Sequence, residues 1–166
     1  MQDFNFLNIE TLNKYQRFLY GHDDSFNNLS SLQKKQKLPN KIIFSGSDGI
    51  GKATFIFHLI NFILSNNEEG AYNINIKEII QNNTSYLDLI NNINFNFKHL
   101  KVDDYKKIIS IEETREIINF FTKSSINNKP KIFFLECAEN LNKNSSNSIL
   151  KILEELPENN YFFISY

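Results

Sequence analysis

The chain has 166 residues, of which 41% are hydrophobic, and a formal net charge of −1 at pH 7. That length suits one domain with a sizeable core, and the balanced charge gives no basic surface of the kind that binds nucleic acid. The single cysteine excludes a disulfide framework and a four-cysteine zinc site. Because residues 1–6 lack the features of a signal peptide and no apolar run is as long as a membrane span, we expect a soluble, cytoplasmic protein.

Two elements are predicted before the first strand. Residues 1–20 are predicted to form a polar, partly helical arm. A helix is predicted over residues 24–37, because Phe26, Leu29 and Leu32 recur on one face at helical spacing.

A glycine-rich segment follows a predicted buried strand at residues 41–45 and precedes a predicted buried helix at residues 54–64. It has the spacing Gly-x-x-x-x-Gly-Lys of a phosphate-binding loop, in which backbone N–H groups surround a polyphosphate and the lysine reaches its terminal oxygens. Strand, loop and helix occur in the order that the motif requires, which favours this interpretation over an ordinary glycine-rich turn. The predicted nucleotide-binding residues are Gly46, Ser47, Asp48, Gly49, Ile50, Gly51, Lys52, Ala53 and Thr54.

One position of this loop departs from the motif. A Ser or Thr hydroxyl after the lysine normally holds Mg²⁺, and here the residue is Ala53. Thr54 does not replace that hydroxyl, because one helical step turns its side chain by about 100°. ATP and ADP are therefore the candidate cofactors, Mg²⁺ is not favoured, and zinc is not expected.

The middle of the chain gives weaker signals until a capping box appears. Residues 65–96 are rich in Asn, with a weak helix predicted around residues 86–93, and a second strand is predicted at residues 99–102. The spacing of Ser110 and Glu113 predicts a helix start at which each side chain accepts from the other residue's N–H. The predicted core residues of that helix are Ile117, Ile118, Phe120 and Phe121.

A third predicted strand, at residues 131–136, ends on an acid. In phosphate-loop proteins a carboxylate at the end of such a strand helps to hold the metal, so Glu136 is the candidate for that role. In ATPases the next residue is normally a glutamate that orients the attacking water, whereas Cys137 as a neutral thiol does not do so. Two alternatives stay open: Glu136 as a solvent-facing residue, and Cys137 as a reactive thiol.

The last predicted elements are a helix and a buried strand. Asn142 is a good N-cap, Pro157 ends the helix, and the strand at residues 161–165 ends on Ser165. The predicted core face of the helix consists of Ile149, Ile152, Leu153 and Leu156.

Taken together, these segments resemble the AAA+ clamp-loader family, and within it the bacterial delta prime subunits of DNA polymerase III. The matching segments are residues 20–22, 38–39, 49–54, 111–121 and 141–155. The resemblance implies an α/β P-loop NTPase fold, a three-layer α/β/α sandwich with a mostly parallel sheet. It implies that residues 1–166 form a single AAA+ domain, with residues 1–37 as arm and helix and residues 38–166 as the nucleotide-binding core.

The resemblance also carries expectations about where the chain ends and what it does. Ser165 corresponds to the family's sensor 1 position, and the lid and collar domains that follow in the family are not part of this sequence, which suggests a fragment or a natural truncation. The implied partners are the gamma or tau motor subunits and the delta subunit, with the sliding clamp and primed DNA as indirect partners and no membrane. Delta prime implies a scaffold that does not hydrolyse ATP.

Two other functions are compatible with the motif. The first is an active AAA+ ATPase in which Glu136 or Glu139 takes over the metal or water role. The second, a phosphate-loop kinase or other small NTPase, is disfavoured by the clamp-loader pattern of residues 142–155.

Overall fold

The computed structural model describes residues 15–102, 108–123 and 127–166. Most of the predicted amino-terminal arm, residues 1–14, lies outside the described residues. Within the described ranges the helices are α1 (Asp23–Lys34), α2 (Lys52–Leu64), α3 (Thr84–Ile90), α4 (Ile111–Thr122) and α5 (Lys143–Glu154). The strands are β1 (Lys41–Phe44), β2 (Phe97–Lys101), β3 (Ile132–Glu136) and β4 (Tyr161–Ser165), and a short 3₁₀ turn covers Ala138–Asn140.

The four strands form one parallel sheet in the order β1-β4-β3-β2. Helices α1, α2 and α3 pack on one face, where Phe26, Ile60 and Phe163 are completely buried. Helices α4 and α5 pack on the other face, against Phe133 and Phe162. The predicted fold class, a three-layer α/β/α arrangement with a parallel sheet, is confirmed.

Several local predictions are also confirmed. Ser110 and Glu113 form the complete capping box at the start of α4. The Asn142 side chain accepts from the Ser145 N–H at 2.8 Å and caps α5. The final strand occupies residues 161–165, as predicted, and all five of its residues are buried.

Other boundaries differ from the prediction. The helix predicted at residues 24–37 ends at Lys34, and the helix predicted at residues 86–93 is α3, which spans Thr84–Ile90. The second strand begins at Phe97, before the predicted residue 99. These segments are rich in Asn and Lys, which do not mark an element's ends sharply in sequence.

The prediction that the first strand is buried is wrong. Strand β1 is an edge of the sheet formed by the described residues, and its burial alternates along the strand. Ile42 and Phe44 pack toward the core beside α2, whereas the Ile43 side chain is 67% exposed on the opposite face. Its apolar run is a property of one covered face, and the sequence does not reveal which strands have two neighbours.

Helix α2 is the central helix of its face and is anchored by a buried histidine. His58 Nδ1 lies 2.9 Å from the Tyr72 hydroxyl and Nε2 lies 3.0 Å from the Gln16 carbonyl. A neutral imidazole satisfies both contacts, with Nε2–H donating to the carbonyl and Nδ1 accepting from the hydroxyl. Burial lowers the pKa of His58 to about 4.

Candidate functional site

The predicted site residues meet at one edge of the sheet. Because the strands are parallel, their carboxyl ends lie together, and this edge is where open α/β sheets bind ligands. The glycine-rich loop follows β1, Glu136 ends β3, and Ser165 ends β4. Phe44, the last residue before the loop, is paired in register with Ser165, so the loop and that hydroxyl lie at neighbouring strand ends.

The loop requires glycine at two positions for conformational reasons. Gly49 has φ 76° and Gly51 has φ 93°, which are values that side chains rarely tolerate. No described atom lies within 4 Å of a Cβ built on either residue, so backbone strain and not crowding limits substitution there. The turn that contains Gly49 closes with a long hydrogen bond, 3.4 Å, from the Ile50 N–H to the Ser47 carbonyl.

Lys52 bends back across the loop. Its ammonium donates to the Gly46 carbonyl at 2.5 Å and to the Ser47 carbonyl at 3.3 Å, and its side chain is 16% exposed. Asp48 lies 3.7 Å away but is fully exposed, so that ion pair adds little. An ammonium group has three donors, and the two carbonyls use two of them.

Helix α2 begins directly after the loop and has no side-chain cap among the described residues. The Phe55 N–H donates to the Gly51 carbonyl at 2.9 Å. The backbone N–H groups of Lys52 and Ala53, which precede it at the start of the helix, have no acceptor one turn back within the helix. Such groups, together with the positive end of the helix dipole, favour an anion. The loop and the helix start thus combine backbone donors and one ammonium around one small region.

The acid at the end of β3 is engaged by a neighbouring strand. Glu136 Oε2 lies 2.7 Å from His99 Nε2, and the two side chains are 14% and 16% exposed. The His99 ring stacks on Phe134 with centroids 5.0 Å apart and meets the edge of Phe57. The alternative that Glu136 faces solvent is therefore wrong, because this carboxylate lies largely under cover and accepts a hydrogen bond.

Strand order determines on which side of Glu136 this hydrogen bond lies. Strand β2, which carries His99, is at the opposite edge of the sheet from β1. At about 4.8 Å per strand, the loop strand is two spacings from β3 on one side while β2 is one spacing away on the other. One oxygen of Glu136 is thus held on the side away from the loop.

Burial, together with the charge of Glu136, raises the pKa of the nearby Tyr15 hydroxyl to about 12.

Two of these side chains differ from those that hold the divalent cation at a phosphate-binding loop. Ala53 has no hydroxyl oxygen to coordinate the ion, and the Glu136 carboxylate is hydrogen-bonded to His99. The described ranges also contain no group of three or more His, Cys, Asp and Glu side chains placed to hold a metal ion.

The remaining two predicted residues contact each other. Cys137 has φ 61°, and its backbone N–H donates to the Ser165 hydroxyl oxygen at 3.1 Å. Ser165 is 3% exposed, so its hydroxyl links the ends of β3 and β4. The structure therefore brings the loop and Ser165 together and places Glu136 one strand further along.

Two histidines at this edge were not identified as site residues from the sequence. His99, on β2, is hydrogen-bonded to the acid at the end of β3. His22, at the start of α1, contacts the loop through the Ile50 carbonyl at 3.0 Å. Neither contact leaves a local pattern, because the paired residues are 37 and 28 positions apart.

A cleft of about 420 Å³ opens beside the loop. Its walls come from α1, the exposed edge of β1 and the start of α2, and they combine apolar side chains with a few polar groups. Residues that line it include His22, Leu29, Phe44, Ile50, Lys52 and Phe55.

The comparisons with known proteins give one family. A family model described as DNA polymerase III, delta subunit, matches residues 21–165, which is most of the chain. A search of curated proteins finds no match. Among the residues that the structure describes, no helix combines the length and apolar character needed to cross a membrane.

Proposed function

The chain belongs to the DNA polymerase III delta-subunit family, and from that membership we propose that it is a delta prime-like subunit of the clamp loader. In this role it serves as a scaffold for loading the sliding clamp and does not hydrolyse ATP at a useful rate. Its proposed direct partners are the gamma or tau motor subunits and the delta subunit. The sliding clamp and primed DNA are reached through them.

The observation that carries this proposal is the difference between the loop and the acid. The loop retains two positive-φ glycines and a lysine folded over its carbonyls. The acid that would act with it is bonded to His99, and Ala53 and Cys137 lack the groups for metal binding and water orientation. Missing two transition-state contacts slows hydrolysis on the order of thousands-fold relative to a competent ATPase.

We propose that the loop still binds a nucleotide. Its phosphates would accept from Lys52 and from backbone N–H groups at the start of α2, which need no metal ion. The base would lie in the cleft beside α1 and β1, because apolar walls with a few polar groups are typical of small-molecule sites. ATP and ADP are the ligands that this arrangement suits.

A steady-state ATPase assay on the purified chain, with and without Mg²⁺, tests the proposal. We expect turnover at background in both conditions. Robust turnover that Lys52→Ala abolishes would instead establish the active-ATPase alternative, with Glu136 or the exposed Glu139 in the metal or water role.

Binding is measured separately from hydrolysis. A ligand that binds only the folded state raises the melting temperature, so ADP and ATP should each raise it for the unaltered chain and not for Lys52→Ala. If neither nucleotide shifts the melting temperature, the loop is a relic of ancestry and the nucleotide part of the proposal is wrong, while the scaffold part remains.

A further inference from the structure

His22 joins the first helix to the glycine-rich loop. Its Nε2 lies 3.0 Å from the Ile50 carbonyl oxygen, and because that oxygen can only accept, Nε2 carries the hydrogen and donates. The ring also meets the edge of Phe55, in the first turn of α2, with centroids 5.9 Å apart. Two contacts on different residues of the loop and helix therefore fix the imidazole.

The backbone at this position is unusual. His22 has φ 55° and directly follows Gly21, which has φ 73°. Its carbonyl then accepts the first hydrogen bond of α1, from the Phe26 N–H at 3.0 Å. A left-handed conformation is uncommon outside glycine and persists where surrounding contacts hold it. Here it turns the chain so that α1 starts beside the loop and the side chain reaches Ile50.

The hydrogen bond from His22 orients a peptide group. A trans peptide is planar, with its C=O and N–H pointing in opposite directions. Since the Ile50 carbonyl points to His22, the Gly51 N–H points away from His22. Gly51 is the residue that precedes Lys52 and α2, and its φ of 93° permits this orientation.

We propose that His22 is a positioning residue that holds the Ile50–Gly51 peptide so that the Gly51 N–H is presented to a phosphate oxygen of a nucleoside di- or triphosphate. This role rests on the proposed nucleotide binding by the loop. It assigns His22 to the phosphate part of the ligand, although the ring also lines the cleft proposed for the base.

The test compares His22→Ala with His22→Gln, whose side-chain amide can donate to the same carbonyl. Asn27→Ala, an exposed polar residue of α1, is the matched control. Affinities for ADP and for inorganic tripolyphosphate are measured by calorimetry in EDTA. We expect His22→Ala to weaken both ligands about tenfold, as for one lost hydrogen bond to a charged oxygen, and His22→Gln to restore most of the affinity.

Two results would overturn the proposal. In the first, His22→Ala weakens ADP but not tripolyphosphate, which would make His22 a contact for the base. In the second, both affinities match those of Asn27→Ala while the melting temperature falls, which would leave His22 with a purely structural role.

A readout without ligand keeps the inference separate from the proposed function. The ¹⁵N order parameter of the Gly51 amide should be about 0.85 in the unaltered chain and fall toward about 0.6 in His22→Ala. In His22→Gln it should return to the value of the unaltered chain. If the chain binds neither ADP nor tripolyphosphate, the proposed nucleotide function fails. The order parameter then decides whether His22 positions this peptide, and an unchanged value rejects it.

Discussion

The candidate site has two ends, the loop that follows β1 (the loop end) and Glu136 at the end of β3 (the acid end). They differ in structure although they lie at the same edge of the sheet. Beside β1, the loop is built from backbone groups, glycine conformations and one lysine that donates to the loop's own carbonyls. Beside β3, the acid Glu136 is built into the protein through His99 and a stack of aromatic rings. The loop end combines backbone N–H groups with one ammonium, whereas the carboxylate of the acid end already accepts a hydrogen bond from His99.

Under the proposed function, this difference indicates which parts of a phosphate-binding site are retained when hydrolysis is lost. A loop shaped by backbone conformation is also the connection between β1 and α2, so losing it would disturb the fold. The metal and water groups are single side chains, and replacing one of them costs the fold little. Changes to the helix that both ends share, and to each end by itself, test this difference.

The largest expected effect concerns α2, which both ends share, and appears when pH is lowered. Burial lowers the pKa of His58 to about 4, below its ordinary value. Between these two pKa values the unfolded chain therefore binds a proton that the native chain does not bind. Stability is therefore full above about pH 6.5 and is lost as pH falls toward 4, by up to about 3 kcal/mol. Chemical denaturation at a series of pH values measures this loss.

His58→Gln is the control for that pH series. It should be less stable at neutral pH but show a much flatter profile between pH 6.5 and 4.5. Glu68, whose pKa is lowered by Lys129 and Ser85 against the effect of burial, contributes its own loss only below its ordinary range. An equally steep profile in His58→Gln between pH 6.5 and 4.5 would contradict the assignment to His58.

The second prediction alters the loop end alone. Lys52→Met removes the ammonium and its two hydrogen bonds to the loop carbonyls while keeping a long apolar stem. Hydrogen bonds of a charged group contribute about 1.5–3 kcal/mol, so ADP affinity should fall by roughly 10- to 100-fold. Calorimetry measures this directly. Affinity within twofold of the unaltered chain would mean that the lysine only closes the loop.

The third prediction alters the acid end alone. Glu136→Gln should lower the free energy of unfolding by about 1 kcal/mol, because it weakens a largely covered hydrogen bond to His99. ADP affinity should stay within about twofold, since the loop does not depend on this acid. A double-mutant cycle with His99→Gln should give a coupling of about 1 kcal/mol. A marked loss of ADP affinity in Glu136→Gln would show that the acid serves the loop after all.

The parts of this structure that sequence predicts well are those whose causes are local. The Ser110–Glu113 capping box and the Asn142 cap each join residues three positions apart, and both form as expected. The His99–Glu136 and His22–Ile50 contacts depend on which strands and helices become neighbours, which no short pattern encodes.

The sequence does not reveal the exposure of Ile43 for the same reason. A β-branched run marks a strand but does not say whether one face or both are covered. At the candidate site, the positive-φ glycines of the loop follow from a local pattern in the sequence. The contact between Glu136 and His99 does not, because it depends on which strands are neighbours.

The smallest expected effect comes from restoring the missing hydroxyl. Ala53→Ser returns the side chain that the motif uses to hold Mg²⁺, at a position that is partly buried against the core. If Ala53 were the only defect, ATP turnover would appear in Mg²⁺. We expect turnover to stay at background, because Glu136 remains hydrogen-bonded to His99 and Cys137 still lacks a carboxylate.

The triple variant Ala53→Ser, His99→Ala and Cys137→Glu, assayed beside the single variant, tests the three positions together. Turnover in Ala53→Ser alone would mean that the hydrogen bond to His99 does not prevent Glu136 from taking part in hydrolysis.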